Sequence, residues 1–482
     1  MAQRRLALWL RRMLPAALAV AAAGCMVGPD YVRPETPEPV AWSAPLEHGL
    51  DPAPSDEELL ARWWATLGDP LLTDLMERAV SNNLDLVAAE ARVREARGRR
   101  VVARGGLFPT VNVGASGNES RESEQSFNSP NGNIDRSRSL YQVGFDSSWE
   151  IDVFGGLRRE LEAASADLEV SREDLRDVLV TLTSEVALTY VDVRSLQARI
   201  EIAEANLASL HDTYDIARWR ADAGLTTSLD VEQARSAFEE TRAQIPLLRN
   251  SLAQAKNRLA VLLAEPPGSL TVLDESKPIP VVAPEVAVGV PAETLLRRPD
   301  VRRAERALAA ETARIGVAKA AAYPRVSLTG SIGLEAMKAS NVFSAGADAA
   351  SIAASLAQTV LDFGRIRGNI QAQEAVREET LARFSSSVLT ALEDVENAMV
   401  AFAQEQERRS ALGEAADAAE QAAALSRYQY RSGLVDFNTV LVAQRSLITL
   451  QDQLTASEGN VTSNLIRLYK ALGGGWTVED KA

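Results

Sequence analysis

Residues 149–158 read WEIDVFGGLR, and residues 358–367 read QTVLDFGRIR. Phe154-Gly155 matches Phe363-Gly364, and Leu157-Arg158 matches Ile366-Arg367, at an offset of 209 residues. The same offset carries Arg218, Gly224, Leu225 and Ala234 onto Arg427, Gly433, Leu434 and Ala443. Self-similarity at a period of about two hundred residues is a duplication, not a solenoid of short units. Working outward, the 482 residues divide into a leader at 1–24, a Pro-rich tether at 25–60, a first repeat at 61–265, a Pro-rich connector at 266–291, a second repeat at 292–476 and a tail at 477–482.

Each repeat holds two alternating segments. Tyr141, Val143, Phe145, Ser147, Trp149 and Ile151 alternate with Gln142, Gly144, Asp146, Ser148 and Glu150. Val326, Leu328, Gly330, Ile332 and Leu334 alternate with Ser327, Thr329, Ser331, Gly333 and Glu335. Period two over about ten residues predicts a strand with one apolar and one polar face, at the length that crosses a bilayer when tilted. The predicted strands lie at about 109–118 and 140–151, and at about 324–335 and 350–361, each pair preceded by a helix. Ser/Asn/Glu/Arg-rich residues 118–139 make a solvated hairpin loop.

Long helical patterns follow each strand pair. Leu175, Leu179, Leu182, Val186, Thr189, Val193, Leu196, Ile200, Ala203, Leu207, Leu210, Tyr214 and Ala217 form an almost unbroken coiled-coil seam. Arg158 to Arg220 contains neither proline nor glycine, so one helix there would reach about 95 Å. The expected helices are 157–222 with a return at 226–264, and 366–431 with a return at 436–472. Pro246 is expected to kink or break the first return helix.

Four membrane-length strands cannot close a barrel, and an open edge in lipid leaves backbone groups unpaired. Two copies would give eight strands and three would give twelve. The strands alone do not choose, but an eight-stranded barrel is filled by its own side chains, so conduction favours three.

The N-terminus adds a compartment. Arg4, Arg5, Arg11 and Arg12 precede the apolar stretch Leu14–Ala23 and then Gly24-Cys25, the layout of a secretory leader too short to span a membrane. Cys25 is the only cysteine. Two readings stand: an acylated Cys25 at a lipobox, with Ala22 where leucine is usual, or an ordinary leader with an incidental cysteine. Seven prolines between Pro29 and Pro54 suit an extended tether.

Composition excludes much else. The net charge is −15, and removing the four-arginine leader leaves −19, a poor basis for binding nucleic acid. No disulfide can form, and His48 and His211 belong to no metal-ligand spacing. No Walker loop, HExxH or GxSxG motif occurs, so neither enzyme chemistry nor a cofactor is expected.

Several blocks together resemble the outer-membrane efflux factor family, in the lipoprotein (NodT-like) branch of the TolC-type channels. They are Cys25 with Gly28-Pro29-Asp30-Tyr31 and Arg33-Pro34; Arg298-Pro299-Asp300-Val301 through Ala304-Glu305, Ile315-Gly316 and Tyr323-Pro324 to Gly333; and Leu468-Tyr469-Lys470 through Gly473-Gly474-Gly475-Trp476. The resemblance implies a mixed α and β membrane protein: a homotrimer with a twelve-stranded outer-membrane β-barrel, four strands per chain, continued by a long periplasmic α-helical coiled-coil barrel. It implies efflux of drugs or other small molecules, through a periplasmic adaptor, from an inner-membrane RND-type pump. The turns Gly224-Leu225-Thr226 and Gly433-Leu434-Val435 would be the adaptor-contacting tips. The family's closed gate maps onto Asp230 and Tyr430, whereas its arginine position is Val435 and two later aspartates are Thr439 and Val442, leaving a reduced Asp230–Tyr430 lock. Two other roles stay open: a protein-export conduit of type I secretion, and a trimeric coiled-coil adhesin. The adhesin is set apart by strand order, since adhesins keep their strands at the carboxyl end.

Overall fold

The computed structural model describes residues 26–35, 41–47, 49–51, 53, 57–121, 123, 137–280, 286–289 and 297–476. The leader, Cys25 and the tail lie outside the described residues. The main elements are α1 (Pro70–Asn82), α2 (Leu84–Gly105), β1 (Thr110–Arg121), β2 (Ser137–Ile151), α3 (Gly156–Asp222), α4 (Ser228–Leu262), α5 (Pro299–Ala320), β3 (Arg325–Ala336), β4 (Asp348–Ala357), α6 (Arg365–Arg431) and α7 (Phe437–Ala471). The chain forms two compact units. One comprises 1–34, 93–170 and 304–384, and the other comprises 35–92, 171–303 and 385–482.

The first unit holds an antiparallel four-stranded sheet in the order β1-β2-β3-β4. Its last strand begins and ends earlier than the sequence suggests, at Asp348–Ala357 rather than about 350–361. Residues 358–361 leave the ladder with Val360 and Leu361 exposed. An apolar run here continues past the last hydrogen-bonded pair, so hydropathy alone overshoots the end.

In the same unit residues 27–31 of the Pro-rich segment are fastened to the helices. Val27 donates its N–H to the Phe154 carbonyl at 3.1 Å. Arg159 on α3 is 1% exposed; its guanidinium donates to the Val27 carbonyl at 3.2 Å and to Asp30 at 2.7 Å. Tyr31 donates to Glu305 on α5 at 3.0 Å, and Arg306 lies over the Tyr31 ring. Gly28 takes a φ of +99° against Gly316, whose Cα would stand 2.5 Å from any added Cβ. The groups that fasten residues 27–31 lie more than a hundred residues away in sequence.

The second unit has one large apolar core, where Trp63, Leu72, Leu75, Met76, Leu259, Leu465 and Ile466 are all buried. Along α3, Leu182, Val186, Val193, Leu196, Leu210 and Ala217 of the predicted seam are buried. Leu175, Leu179, Ile200, Leu207 and Tyr214 of that seam stay half-covered by this chain. The α4 helix runs through Pro246 without a break, because Thr241 and Ile245 before the proline and Ala255 and Leu259 after it are buried. Packing of that face outweighs the roughly 3 kcal/mol penalty of an interior proline.

Arg298, next to the α5 N-terminus, is the polar centre of this unit. It donates to Asp300 at 2.7 and 3.0 Å, to Asp394 on α6 at 2.8 Å, and to the carbonyls of Ala391 and Ala471 at 3.3 and 3.1 Å. The carboxyl-terminal run closes over the same core. Gly475 donates to the Leu60 carbonyl at 2.8 Å, and Trp476 lies under the Arg176 and Arg302 guanidinium groups at 4.6 and 5.3 Å.

Burial alone would raise the Asp300 pKa, but hydrogen bonding and charge from Arg298 hold it below the usual carboxylate range. A depressed folded pKa contributes stability above pH of about 4 and loses it as pH falls through the folded value. Arg298→Met should therefore cost about 3 kcal/mol or more in chemical unfolding. Wild type should also lose stability more steeply below about pH 4 than Asp300→Asn does.

Candidate functional site: the two sheet faces and the two helical turns

Register assigns the sheet faces. Val113 pairs with Phe145, Phe145 with Ile332, and Ile332 with Ala350; Trp149 pairs with Leu328 and Val326 with Leu356. With period two, one face is apolar on all four strands, and Val111, Val113, Phe145, Ile332, Ile352 and Leu356 on it are exposed. The opposite face carries polar rungs: Asn112 donates to Asp146 at 3.1 Å, Gln142 to Glu335 at 3.2 Å, and Ser327 and Ser331 bond Ser355 and Ser351. On that face Gly144 and Gly333 sit opposite each other. A Cβ on Gly144 would come 2.8 Å from the Gly333 Cα, and one on Gly333 would come 2.5 Å from the Val143 carbonyl oxygen. At this level β2 and β3 therefore approach each other closely on the polar side. Among the described residues β1 and β4 each have one unpaired edge.

The second unit holds both helix-to-helix turns, and they are built alike. Leu225 donates its N–H to the Arg220 carbonyl at 2.8 Å, and Leu434 donates to the Gln429 carbonyl at 2.9 Å. Gly224 and Gly433 adopt φ of +73° and +75°, the left-handed helix cap that a side chain would strain. Leu225 and Leu434 project from the turns, 66% and 72% exposed. Thr226 is half-buried, and Val435 packs against the turn-end cluster around Tyr430 and Phe437. Asp436 caps α7 by accepting from Thr439 N–H at 2.9 Å.

Within one chain no hydrogen bond joins Asp230 and Tyr430, the pair expected to form the gate. The Asp230 carboxylate accepts from the Thr226 hydroxyl. The Tyr430 hydroxyl is buried with no hydrogen-bond partner among the described residues. Arg220, absent from the sequence expectations, sits on that tyrosine. Its guanidinium carbon lies 4.7 Å from the ring centroid, and it donates to the carbonyls of Tyr430 and Arg431 at 3.0 and 3.4 Å. A cation on the last carbonyls of a helix is favourable. The signal for it was a break in the duplication, since the position matching Arg220 in the second repeat is Gln429. Trp219 and Tyr428, which do match, are both exposed one turn before the glycines. No cluster of three or more metal-type ligands occurs among the described residues, and no described helix is long and apolar enough to cross a membrane.

A family model described as outer membrane efflux protein matches residues 75–265 and 290–474. The chain is 33% identical over 474 residues to the toluene efflux pump outer membrane protein TtgI of Pseudomonas putida, covering 97% of this chain and 99% of that one. It is 32% identical over 447 residues to the pyoverdine export outer membrane protein OpmQ of the same species, covering 92% and 93%. Among solved structures it resembles the outer-membrane channel OprN with a TM-score of 0.88 and 34% identity, over 94% of this chain and all of that one.

Arg220→Ala should loosen the second turn. Amide exchange over residues 428–436 should rise by about tenfold or more, the equivalent of a lost charged hydrogen bond. Arg220→Lys should restore part of the protection, since a lysine keeps the charge but not the planar fork.

Proposed function

The chain belongs to the outer membrane efflux protein family, and on that premise we propose that it is the outer-membrane conduit of a tripartite efflux system, passively carrying small organic solutes from the periplasm to the exterior. One observation carries this reading: a sheet with an exposed apolar face, an opposite polar face and two unpaired edges. Such a sheet fits a lipid-facing wall around a water-filled passage. Its edges call for further copies of the chain, and three copies make a twelve-stranded barrel wide enough to conduct. The half-covered part of the α3 seam supports the same homotrimer, because a neighbouring helix would complete it.

The turns Gly224-Leu225-Thr226 and Gly433-Leu434-Val435 receive a periplasmic adaptor, with their exposed leucines and the flanking Trp219 and Tyr428 as the apolar contacts. The adaptor links the conduit to an inner-membrane RND-type pump that supplies the driving force. Asp230 and Tyr430 form the gate, bonding across the assembled tip when it is closed. A buried phenol without a partner costs free energy that such a bond would recover. Acylation of Cys25 anchors the chain in the outer membrane. Toluene and pyoverdine are named for the relatives, and the corresponding class here is small organic compounds rather than folded proteins.

Single-channel recording in a planar bilayer tests this. Purified trimers should give small steps that grow in Asp230→Ala/Tyr430→Phe. Steps of equal size would discard the lock and keep the channel. No steps in either protein, from verified trimers, would overturn the conduit.

A further inference from the structure

The two hairpins of the sheet share one register. In β1–β2, Thr110 pairs with Ser148; in β3–β4, Arg325 pairs with Ala357. The first strands are thus related by an offset of 215 residues and the second strands by 209. A side-chain hydrogen bond obeys the same two offsets. Trp149 donates from Nε1 to the Leu107 carbonyl at 3.0 Å, and Gln358 donates from Nε2 to the Ala322 carbonyl at 3.1 Å. Different side chains make the same bond there, so the hairpins are built alike beyond their ladders. Between them lies the β2–β3 seam. At its helix-proximal end Phe154 stacks on Tyr323, with ring centroids 4.7 Å apart and planes at 21°. The two offsets carry Phe154 onto Phe363, just past β4, and relate Tyr323 to Phe108, just before β1. Those two rings stand at opposite edges of the sheet, 93% and 58% exposed.

Resting on the homotrimer reading, we propose that adjoining copies meet in a second version of the β2–β3 seam, in which Phe363 stacks on Phe108 of the next copy. In one chain Ser147 pairs with Gly330 and Ile151 with Val326. Carried through the two offsets, that register sets Leu356 opposite Ala115 of the next copy, and Val360 opposite its Val111. Parity agrees, because all four positions belong to the apolar face. A slip of one residue would set apolar positions against polar ones across the joint. The whole of β1, residues 110–121, then falls opposite residues 350–361. Residues 358–361 lie outside the ladder of a single chain, with Val360 91% exposed. The next copy's β1 gives their backbone the partner that lipid does not.

Cysteine pairs test the register in the full-length protein, with wild type, whose single cysteine is Cys25, as the blank. Leu356→Cys is combined with Val113→Cys, Ala115→Cys or Gly117→Cys and treated with a short bifunctional thiol reagent. Expected on denaturing gels is a covalent ring of three chains for the pair with Ala115→Cys, and about fivefold less for the other two, whose positions are diagonal. For the stack, Phe363→Ala should speed dissociation of the trimer in detergent about fivefold. Adding Phe108→Ala should speed it little further, the mark of two groups in contact. Strongest cross-linking at 113 or 117, equal cross-linking at all three, or none from verified trimers would overturn the proposal. So would single effects that multiply in the double variant. Each of these leaves the homotrimer standing. Covalent rings of two chains would instead uphold the seam and refute the homotrimer.

Discussion

A strand in lipid has to hydrogen-bond on both sides, because the bilayer core offers its backbone no water. That constraint governs this molecule. Four strands, β1 to β4, satisfy one another internally and leave two edges that the chain cannot pair by itself. Copies of the chain are the economical remedy, and the alternation of apolar and polar positions then decides which face each copy turns to lipid.

The two helix-to-helix turns follow one plan. The two turns share a left-handed glycine, the same i to i−5 hydrogen bond and an exposed leucine. Where the copies diverge, the turns acquire different chemistry. Arg220 replaces the symmetric counterpart of Gln429 and reaches across to the second turn, while Asp230 has Thr439 as its counterpart. The two turns share their shape, and the residues that differ between them give each its own contacts.

Much of this was readable in the residues. Period two in Tyr141–Ile151 and Val326–Leu334 located β2 and β3, and the uninterrupted stretch from Arg158 to Arg220 located α3. The turns announced themselves through Gly224 and Gly433. Long-range polar contacts were not readable. Arg298 looked like part of a recognisable block, yet its meaning lies in carbonyls at Ala391 and Ala471 that no local pattern connects to it. Pro246 misled because helix propensity is a local quantity, and the burial of Ile245 and Leu259 is not. The expected gate pair rests on matched positions, and no matched position points to Arg220.

The fastening of residues 27–31 has a consequence for the order of events in folding. The Tyr31 hydroxyl reaches Glu305 across 274 residues of chain, and Gly28 rests against Gly316. This segment, made well before α5, thus finds its seat only after α5 exists. Contacts of such sequence separation form slowly, since loop closure must precede their reward. Meanwhile Arg159, which that segment screens from water, stays hydrated. Residues 27–31 are therefore among the last to be placed, and their arrival seals the helices they touch.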